Sequence, residues 1–405
     1  MRIAMVSEHA SPLAALGGVD AGGQNVYVAR LTEELARRGH AVTVYTRRDS
    51  LDLPDRVPLP GGGVVEHVPA GPAEIIPKDE LLPHMPAFGA HLARAWGRDR
   101  PDVVHAHFWM SGLASRIGVQ PHGIPLVQTF HALGTVKRRH QGMRDTSPYE
   151  RVAIERQIGR DCERVLATCT DEVVELGDMG VPPRQVSVVP CGVDARHFNP
   201  EADTRRTPAR RQRHRLIACG RLVPRKGYDQ AIHALAKIPD TELLIVGGPP
   251  ADGLDADPEA RRLTALAGRL GVADRVRLLG AADPHYMPGL LRSADLVLCT
   301  PVYEPFGIVP LEAMACGVPV LATDVGGHRD SVADGTTGRL VPPQDPEAIA
   351  EAARELLADE RLRRQYGHNG RERVLKHYTW RRVADGAEQV YRLTLADHAL
   401  AQEVA

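Results

Sequence analysis

Almost from its first residue the chain alternates short apolar runs with longer segments of helical spacing. "RIAMVS" is followed by "QNVYVARLTEELARRGH", then by "AVTVYT", "DVVHAH", "IPLVQTF" and "RVLATC", the last leading into "TDEVVELGDMG". Runs that stay apolar at consecutive positions bury both faces of a strand, the pattern of a parallel sheet covered by helices. The alternation predicts successive βαβ units. It breaks at "EADTRRTPARRQRHR", residues 201–215, a polar stretch with six arginines that reads as an exposed interdomain linker. The alternation then resumes through "LIACGR", "GYDQAIHALAKI", "ELLIVGGP", "RRLTALAGRLG", "VRLLG", "HYMPGLLRSA", "DLVLCT", "VPLEAMACG", "PVLATDVGG" and "GRLVPP".

The expected fold is therefore α/β, two Rossmann-like doubly wound domains facing across a cleft. Residues 1–200 form the first, 201–215 the linker and 216–381 the second, with a terminal helix from about 382 to 405 packing back on the first domain. Doubly wound sheets bind ligands at the carboxyl ends of their strands, so the cleft between two such sheets is the expected site.

Charge and composition narrow the partners. Among 405 residues, 50 basic and 51 acidic side chains leave a formal net charge of −1. No long-range field recruits nucleic acid or an anionic membrane, so an anionic ligand must be held by local groups. The six cysteines show no CxxC pair and fall mostly in apolar runs, which reads as reduced, buried thiols. No signal-peptide core or membrane-length apolar run occurs, and a cytoplasmic location is expected. Only five of the basic residues are lysine (Lys78, Lys137, Lys226, Lys237, Lys376), so a lysine in this arginine-rich chain marks a place where a compact ammonium matters.

Several motifs carry chemistry. Gly22 and Gly23 precede the helix that begins near Asn25, and paired glycines let backbone amides approach a phosphate or sugar; a plain flexible loop is the alternative. The dinucleotide spacing GxGxxG is absent there. "CGRLVPRKG" sets Arg221, Arg225, Lys226 and Gly227 after a strand, a pyrophosphate clamp or else a solvated turn. His105 and His107 end one strand and His131 ends another. In "EPFGIVPLE", Glu304 and Glu312 stand eight positions apart, a rise of ~12 Å if helical, which exceeds the ~5–9.5 Å of carboxylates that share one reacting atom. With Pro305 in a first helical turn, the amides of Phe306, Gly307 and Ile308 would attract an anion, so a long ligand with its anion in the middle is expected. Asp255 and Asp257 form a DxD without further metal-ligand spacing, and neither a GxSxG elbow nor a P-loop motif occurs.

In this order, the glycine pair with Asn25, "TFH", "GRLVPRKG" and "EPFGIVPLE" resemble glycosyltransferase family 4, retaining enzymes of the GT-B fold, over nearly the whole chain. "DAGGQNVYVARL" and "HAHFWMSG" look most like the branch holding sucrose-phosphate synthases and the mycothiol-pathway inositol-phosphate glycosyltransferase. The resemblance implies that Arg221 and Lys226 bind the donor diphosphate, Glu312 the ribose hydroxyls and Glu304 the donor-sugar hydroxyls. Phe306, Gly307 and Ile308 would lie beside sugar and phosphate, with Gly22 and Gly23 in the donor set. His131 would sit near the reacting sugar, making His131, Glu304, Arg221 and Lys226 the catalytic group. Asn25, Lys78 and Arg151 match residues holding an acceptor phosphate, with His107 and Phe108 beside them. Phe108 and Ala132 stand where the inositol-phosphate enzyme has a tyrosine and a threonine.

The implied activity is hexose transfer from a UDP-sugar, or a GDP-sugar, to a small polar acceptor such as a sugar phosphate, a cyclitol or a specialised metabolite. No cofactor or catalytic metal is required. The partners are the nucleotide sugar and the acceptor, with no nucleic acid and no membrane span, and a homodimer is left open. A nucleotide-sugar 2-epimerase of the same architecture and a non-catalytic nucleotide-sugar sensor are the alternatives.

Overall fold

The computed structural model describes residues 1–14, 22–205 and 207–404. The chain divides into two compact units, Met1–Pro190 with Trp380–Ala405, and Cys191–Thr379.

The first unit is built on an eight-stranded sheet: β1 (Arg2–Val6), β2 (Ala41–Arg47), β3 (Arg56–Pro58), β4 (Val64–Val68), β5 (Val103–His107), β6 (Leu126–Thr129), β7 (Arg164–Ala167) and β8 (Val186–Val188). Their order is β3-β4-β2-β1-β5-β6-β7-β8, and every neighbouring pair is parallel except β3 with β4. Helices Met85–Arg98 and Trp109–Val119 bring Phe88, Leu92, Trp96, Trp109 and Met110 into one core cluster with Val104 and Ala106 of β5. The terminal helix Trp380–Val404 packs with helix Gly23–Arg37, where Trp380 meets Tyr27 edge-on at 5.7 Å and Arg38 pairs with Asp385 and Glu388 at 2.8 and 3.1 Å.

The second unit has six strands, all parallel: β9 (His214–Cys219), β10 (Thr241–Val246), β11 (Val276–Gly280), β12 (Leu296–Cys299), β13 (Val320–Thr323) and β14 (Gly338–Val341). Their order is β11-β10-β9-β12-β13-β14. Consecutive residues serve opposite faces, as the two-residue strand period requires. Leu216, Leu243 and Ile245 pack with the helices Tyr228–Leu235 and Pro346–Ala358. Ile217, Leu244 and Val246 pack with Leu311, Met314 and Val374.

The boundaries correct the expected linker. The division falls at Pro190/Cys191 and Thr379/Trp380, and residues 201–213 belong to the second unit. The reason is Arg215, inside β9 and 2% exposed. It donates to Glu242 Oε1 at 2.8 Å, Ser293 Oγ at 3.1 Å and the Pro208 carbonyl at 2.8 Å, so it ties the polar run to the sheet. Arg210 adds a 2.6 Å bond to Asp295. Short β3, β4 and β8 lie outside the apolar runs picked out above. All six cysteines are thiols and five of them are buried. Among the described residues no helix is long and apolar enough to cross a membrane.

Candidate functional site

In the second unit the chain runs outward from β9 through β10 to β11, then returns to the other side of β9 with β12 and continues to β14. The reversal between β9 and β12 is a topological switch point, and the loops leaving the carboxyl ends of those two strands flank it. The first carries Arg221, Arg225, Lys226 and Gly227; the second carries Glu304, Phe306 and Gly307.

Backbone contact holds the loops together. Gly227 has φ +66°, and a Cβ there would lie 1.9 Å from the Thr300 carbonyl oxygen. Gly326, after β13, approaches the Glu304 carbonyl as closely, since its Cβ would lie 2.2 Å away. Gly227→Ala is therefore expected to cost about 1–3 kcal/mol and to displace Lys226, measurable as a lowered urea midpoint and weakened nucleotide binding.

Lys226 Nζ donates to Glu304 Oε2 at 2.5 Å, and Arg225 Nη1 stands 4.0 Å from the same oxygen. Arg225 also lies over the Tyr303 ring, 5.4 Å from its centroid. Burial pushes the Glu304 carboxyl upward, but Lys226, then Arg225 and His328, outweigh it and bring its pKa down to about 2. Burial favours the neutral form of His328, so the two cations carry most of the effect. Among the described residues no cation pairs with Glu312; burial pushes it up to about 8, only partly opposed by Lys226. The two glutamates are thus shifted in opposite directions. Arg221 is exposed at the mouth of the first loop.

The helix of the motif begins later than expected. It spans Ile308–Ala315 with Gly307 as its N-cap at φ 69°, so Pro305 and Phe306 lie in the loop and Glu304 is not on a common helix with Glu312. Left-handed backbone at Gly307 ends any continuous helical path between them.

In the first unit the strand order reverses between β1 and β5, and the residues expected to act lie around those strand ends. His107 ends β5, Phe108 follows with φ 80°, and His131 follows β6 with φ 62°. Positive φ at two side-chain-bearing residues is strain held where a sharp exit from the sheet is needed. His107 Nδ1 and His131 Nε2 are 3.0 Å apart. Behind them, Thr129 Oγ1 donates to the Leu166 carbonyl, so it accepts from His105 Nε2 at 2.9 Å, and His105 Nδ1 in turn accepts from Tyr391 at 2.7 Å. Burial holds all three imidazoles far below the ordinary histidine range, His105 at about 3, so the cluster is neutral at pH 7.

Arg151, 2% exposed, is committed within the fold. It donates to Glu155 at 2.7 Å, Ser147 at 3.1 Å and the Ala132 carbonyl at 2.5 Å, and its guanidinium lies 5.1 Å from the Phe108 centroid. Asn25 serves as a cap, accepting from the Gly22 amide at 3.0 Å and donating to the Ser11 carbonyl at 2.9 Å. Gly23 opens that helix, while residues 15–21 lie outside the described residues. Lys78 starts a short 3-10 turn. Its neighbour Asp79 faces Lys137 at 3.9 Å, and Lys137 pairs with Asp145 at 3.0 Å.

The structure thus gathers Lys226, Glu304, Phe306, Gly307 and Ile308 in one unit and His107, Phe108, His131 and Arg151 in the other. Sequence reasoning missed Glu8, His9 and Ser111, where Ser111 Oγ accepts from the Glu8 amide at 3.0 Å and Glu8 Oε1 lies 2.7 Å from His9 Nδ1, and the Gly326–Gly327 turn that supports Glu304. The double glycine in "DVGGH" after a strand was a signal for the turn; Glu8 and Ser111 are 103 positions apart and offered none. Asp257 caps the helix Pro258–Arg269 by accepting from the Ala260 amide, which accounts for one half of the DxD. Among the described residues no group of three or more His, Cys, Asp or Glu is placed to hold a metal.

Comparison with known proteins agrees with this geometry. Residues 21–197 match the model described as Glycosyltransferase Family 4, and residues 201–373 that of Glycosyl transferases group 1. A D-inositol 3-phosphate glycosyltransferase of Geodermatophilus obscurus is 37% identical over 99% of this chain and 91% of that protein. The same enzyme of Acidothermus cellulolyticus is 38% identical over 99% and 92%. A sucrose-phosphate synthase from Thermosynechococcus elongatus has a TM-score of 0.88 at 33% identity, covering 98% of this chain and 99% of that one. An Anabaena protein crystallised with UDP and glucose shares the fold, with a TM-score of 0.75 at 20% identity over 96% and 98%. Two parallel α/β sheets, each with its motif residues at a switch point, and relatives matching over nearly their full length lead to one statement: the chain belongs to glycosyltransferase family 4 and is a sugar-transferring enzyme of the GT-B fold.

Proposed function

We propose that the protein is a cytoplasmic retaining glycosyltransferase that moves a hexose from a nucleoside diphosphate sugar, UDP-sugar first, to a small polar acceptor. The carrying observation is the Lys226–Glu304 pair, with Arg225 beside it, at the switch point of the second unit. An arriving diphosphate would share Lys226 with Glu304 and take the exposed Arg221 fork as a second cation. Glu304 would then hold hydroxyls of the donor sugar and Glu312 the ribose diol. In the transfer, the bond from the anomeric carbon to the departing phosphate oxygen breaks. The acceptor oxygen bonds that carbon from the same face, and its proton passes to the departing oxygen. The protein's part is positioning and stabilisation of the leaving group, with no protein nucleophile and no metal.

The first test is thermal unfolding with UDP, GDP, ADP and TDP, each alone. A ligand at 100 times its dissociation constant stabilises the native state by ~2.7 kcal/mol, and UDP is expected to give the largest shift. No shift with any of the four would sink the donor site. Conversion of UDP-glucose without an acceptor would point to an epimerase, and tight binding without turnover to a sensor.

Glu312 adds a signed expectation. Its pKa of about 8 keeps it mainly protonated at pH 7, whereas a ribose diol, donating two hydrogen bonds, favours the carboxylate. UDP binding should therefore release protons at pH 7 and tighten as pH rises toward 8. Titration calorimetry in buffers of different ionisation enthalpy reads this directly, and Glu312→Gln should abolish the part of the release that belongs to this residue.

A further inference from the structure

The second unit carries a cationic cavity at the end of its sheet opposite the residues assigned above. Lys226 and Glu304 follow the carboxyl ends of β9 and β12, whereas a cavity of about 450 Å³ opens at the amino ends of the same two strands. β9 is six residues long and sets the two places about 20 Å apart. Arg215, near the start of β9, lines the cavity with Arg292 and Ser293 at the end of helix Met287–Arg292, and with Thr204, Ala209 and Arg210 of the polar run. Its volume is that of a small-molecule site.

Two of the guanidinium groups are fixed walls. Arg215, 2% exposed, places Nε and Nη2 2.8 Å from Glu242 Oε1, and donates from Nη2 to the Pro208 carbonyl and from Nη1 to Ser293 Oγ. A guanidinium has five N–H donors, so the second Nη1 hydrogen is left without an acceptor among the described residues. Arg210 bonds Asp295 at 2.6 Å and the Ser293 carbonyl at 2.7 Å, which pins the polar run to the end of the helix. Two other guanidinium groups are uncommitted. Arg292, exposed at the cavity, and Arg211, exposed in the run, have no hydrogen bond or ion pair among the described residues.

Charge does not balance around this cavity. Arg277 donates to the carbonyl of Ala209 at 3.1 Å, so Arg210, Arg211, Arg215, Arg277 and Arg292 gather about two carboxylates, Glu242 and Asp295. The next acid along the run, Asp203, is taken up by Arg205 at 3.0 Å. Burial first, then the charge of Arg211 and more weakly that of Arg215, lower the Arg277 pKa against the pull of Glu242. The fold has a use for the paired Arg210 and Arg215. Further like charge at the same cavity repels what is already there, and a bound anion relieves it.

We propose that this cavity binds a terminal phosphate group, free or carried by a small metabolite, at a site separate from the donor site. Arg292 and Arg211 close on the phosphate, while Arg215 Nη1 and the Thr204 hydroxyl donate from the wall. A phosphate monoester brings a charge of about −1.5 to −2 and three acceptor oxygens, which suits several converging donors better than the two oxygens and single charge of a carboxylate.

Hydrogen exchange read by mass spectrometry on the full chain tests the site, because it reports segment by segment. The probes are glucose 6-phosphate, inorganic phosphate and glucose. Glucose 6-phosphate is expected to slow exchange in 207–215 and 287–295, and glucose to leave both segments unchanged. Arg292→Ala should raise the half-effect concentration about tenfold or more, and Arg292→Ala with Arg211→Ala further still. Arg292→Lys keeps the charge without the fork and should recover part of the loss. Protection of 221–228 by UDP should stay within about twofold in every variant, which shows that the unit remains folded. A lower half-effect concentration for glucose 6-phosphate than for inorganic phosphate assigns the site to a phosphorylated metabolite, and equal values assign it to the free anion; both support it. No slowing in either segment with either phosphate probe at millimolar concentration overturns the proposal. Slowing that survives unchanged in the double variant overturns it too, as does equal slowing by glucose. Missing protection of 221–228 by UDP in the unaltered protein strikes the donor reading instead, so the two failures are separable.

Discussion

Lys226→Ala is expected to lower kcat/KM by about 10²–10³-fold, the usual cost of removing a donor aimed at developing negative charge. The lysine sits at the end of the β9 loop within 2.5 Å of Glu304, in a chain where arginine is the ordinary cation. Lys226→Arg should recover little, because a planar fork does not fit the space of a compact ammonium. The substitution also exposes Glu304. A carboxyl with depressed pKa contributes stability that is present above its unfolded value of 4.5 and lost as pH falls through about 2. Without Lys226 its nearest cation is Arg225 at 4.0 Å, burial regains the upper hand, and the buried carboxylate then costs stability at neutral pH, a cost relieved as pH falls and the group takes up a proton. Urea unfolding between pH 7 and pH 4 should show the stability gap between variant and parent narrowing as pH falls. Unchanged kcat/KM would remove Lys226 from the site.

Arg151→Ala should destabilise the first unit by about 3–5 kcal/mol, the range for breaking a buried ion pair from one side. Arg151 and Glu155 have side chains 2% and 0% exposed, and Glu155 also accepts from the Gly134 amide at 2.8 Å. Burial already pushes Glu155 upward against the pull of Arg151, so a lone carboxyl there is poorly accommodated. The double variant Arg151→Met with Glu155→Leu should regain much of the stability, and a denaturation midpoint no lower in Arg151→Ala than in the parent would refute the account. The comparison matters for function. Loss of activity in Arg151→Ala alone would report a collapsed first unit as readily as a lost ligand contact, whereas the stable double variant isolates the contact.

Legibility in the sequence followed the range of the interactions. The strands of both sheets that are buried on two faces announced themselves as apolar runs, because burial on both faces removes the polar alternation. Edge pieces such as β3, Arg56–Pro58, escaped because an exposed strand of three residues carries no such run. The 201–215 stretch misled for a related reason: Arg215 looks like surface but is buried, its guanidinium supplied with acceptors by Glu242, Ser293 and Pro208.

By itself, the sequence determined the two doubly wound α/β units, the family, and the short motifs whose chemistry is local: a glycine that must turn, a lysine that must be compact, two glutamates a fixed distance apart along the chain. Only the tertiary structure decided which charges are already spent and which remain to meet a ligand. Arg151 is taken up by Glu155, the three histidines are neutral because they are buried together, Lys226 holds the Glu304 carboxyl down while burial pushes that of Glu312 up, and Glu8 reaches Ser111 across 103 positions. Desolvation and pairing depend on what surrounds a group in space, and the parallel crossovers that bring those surroundings together join residues far apart in the chain.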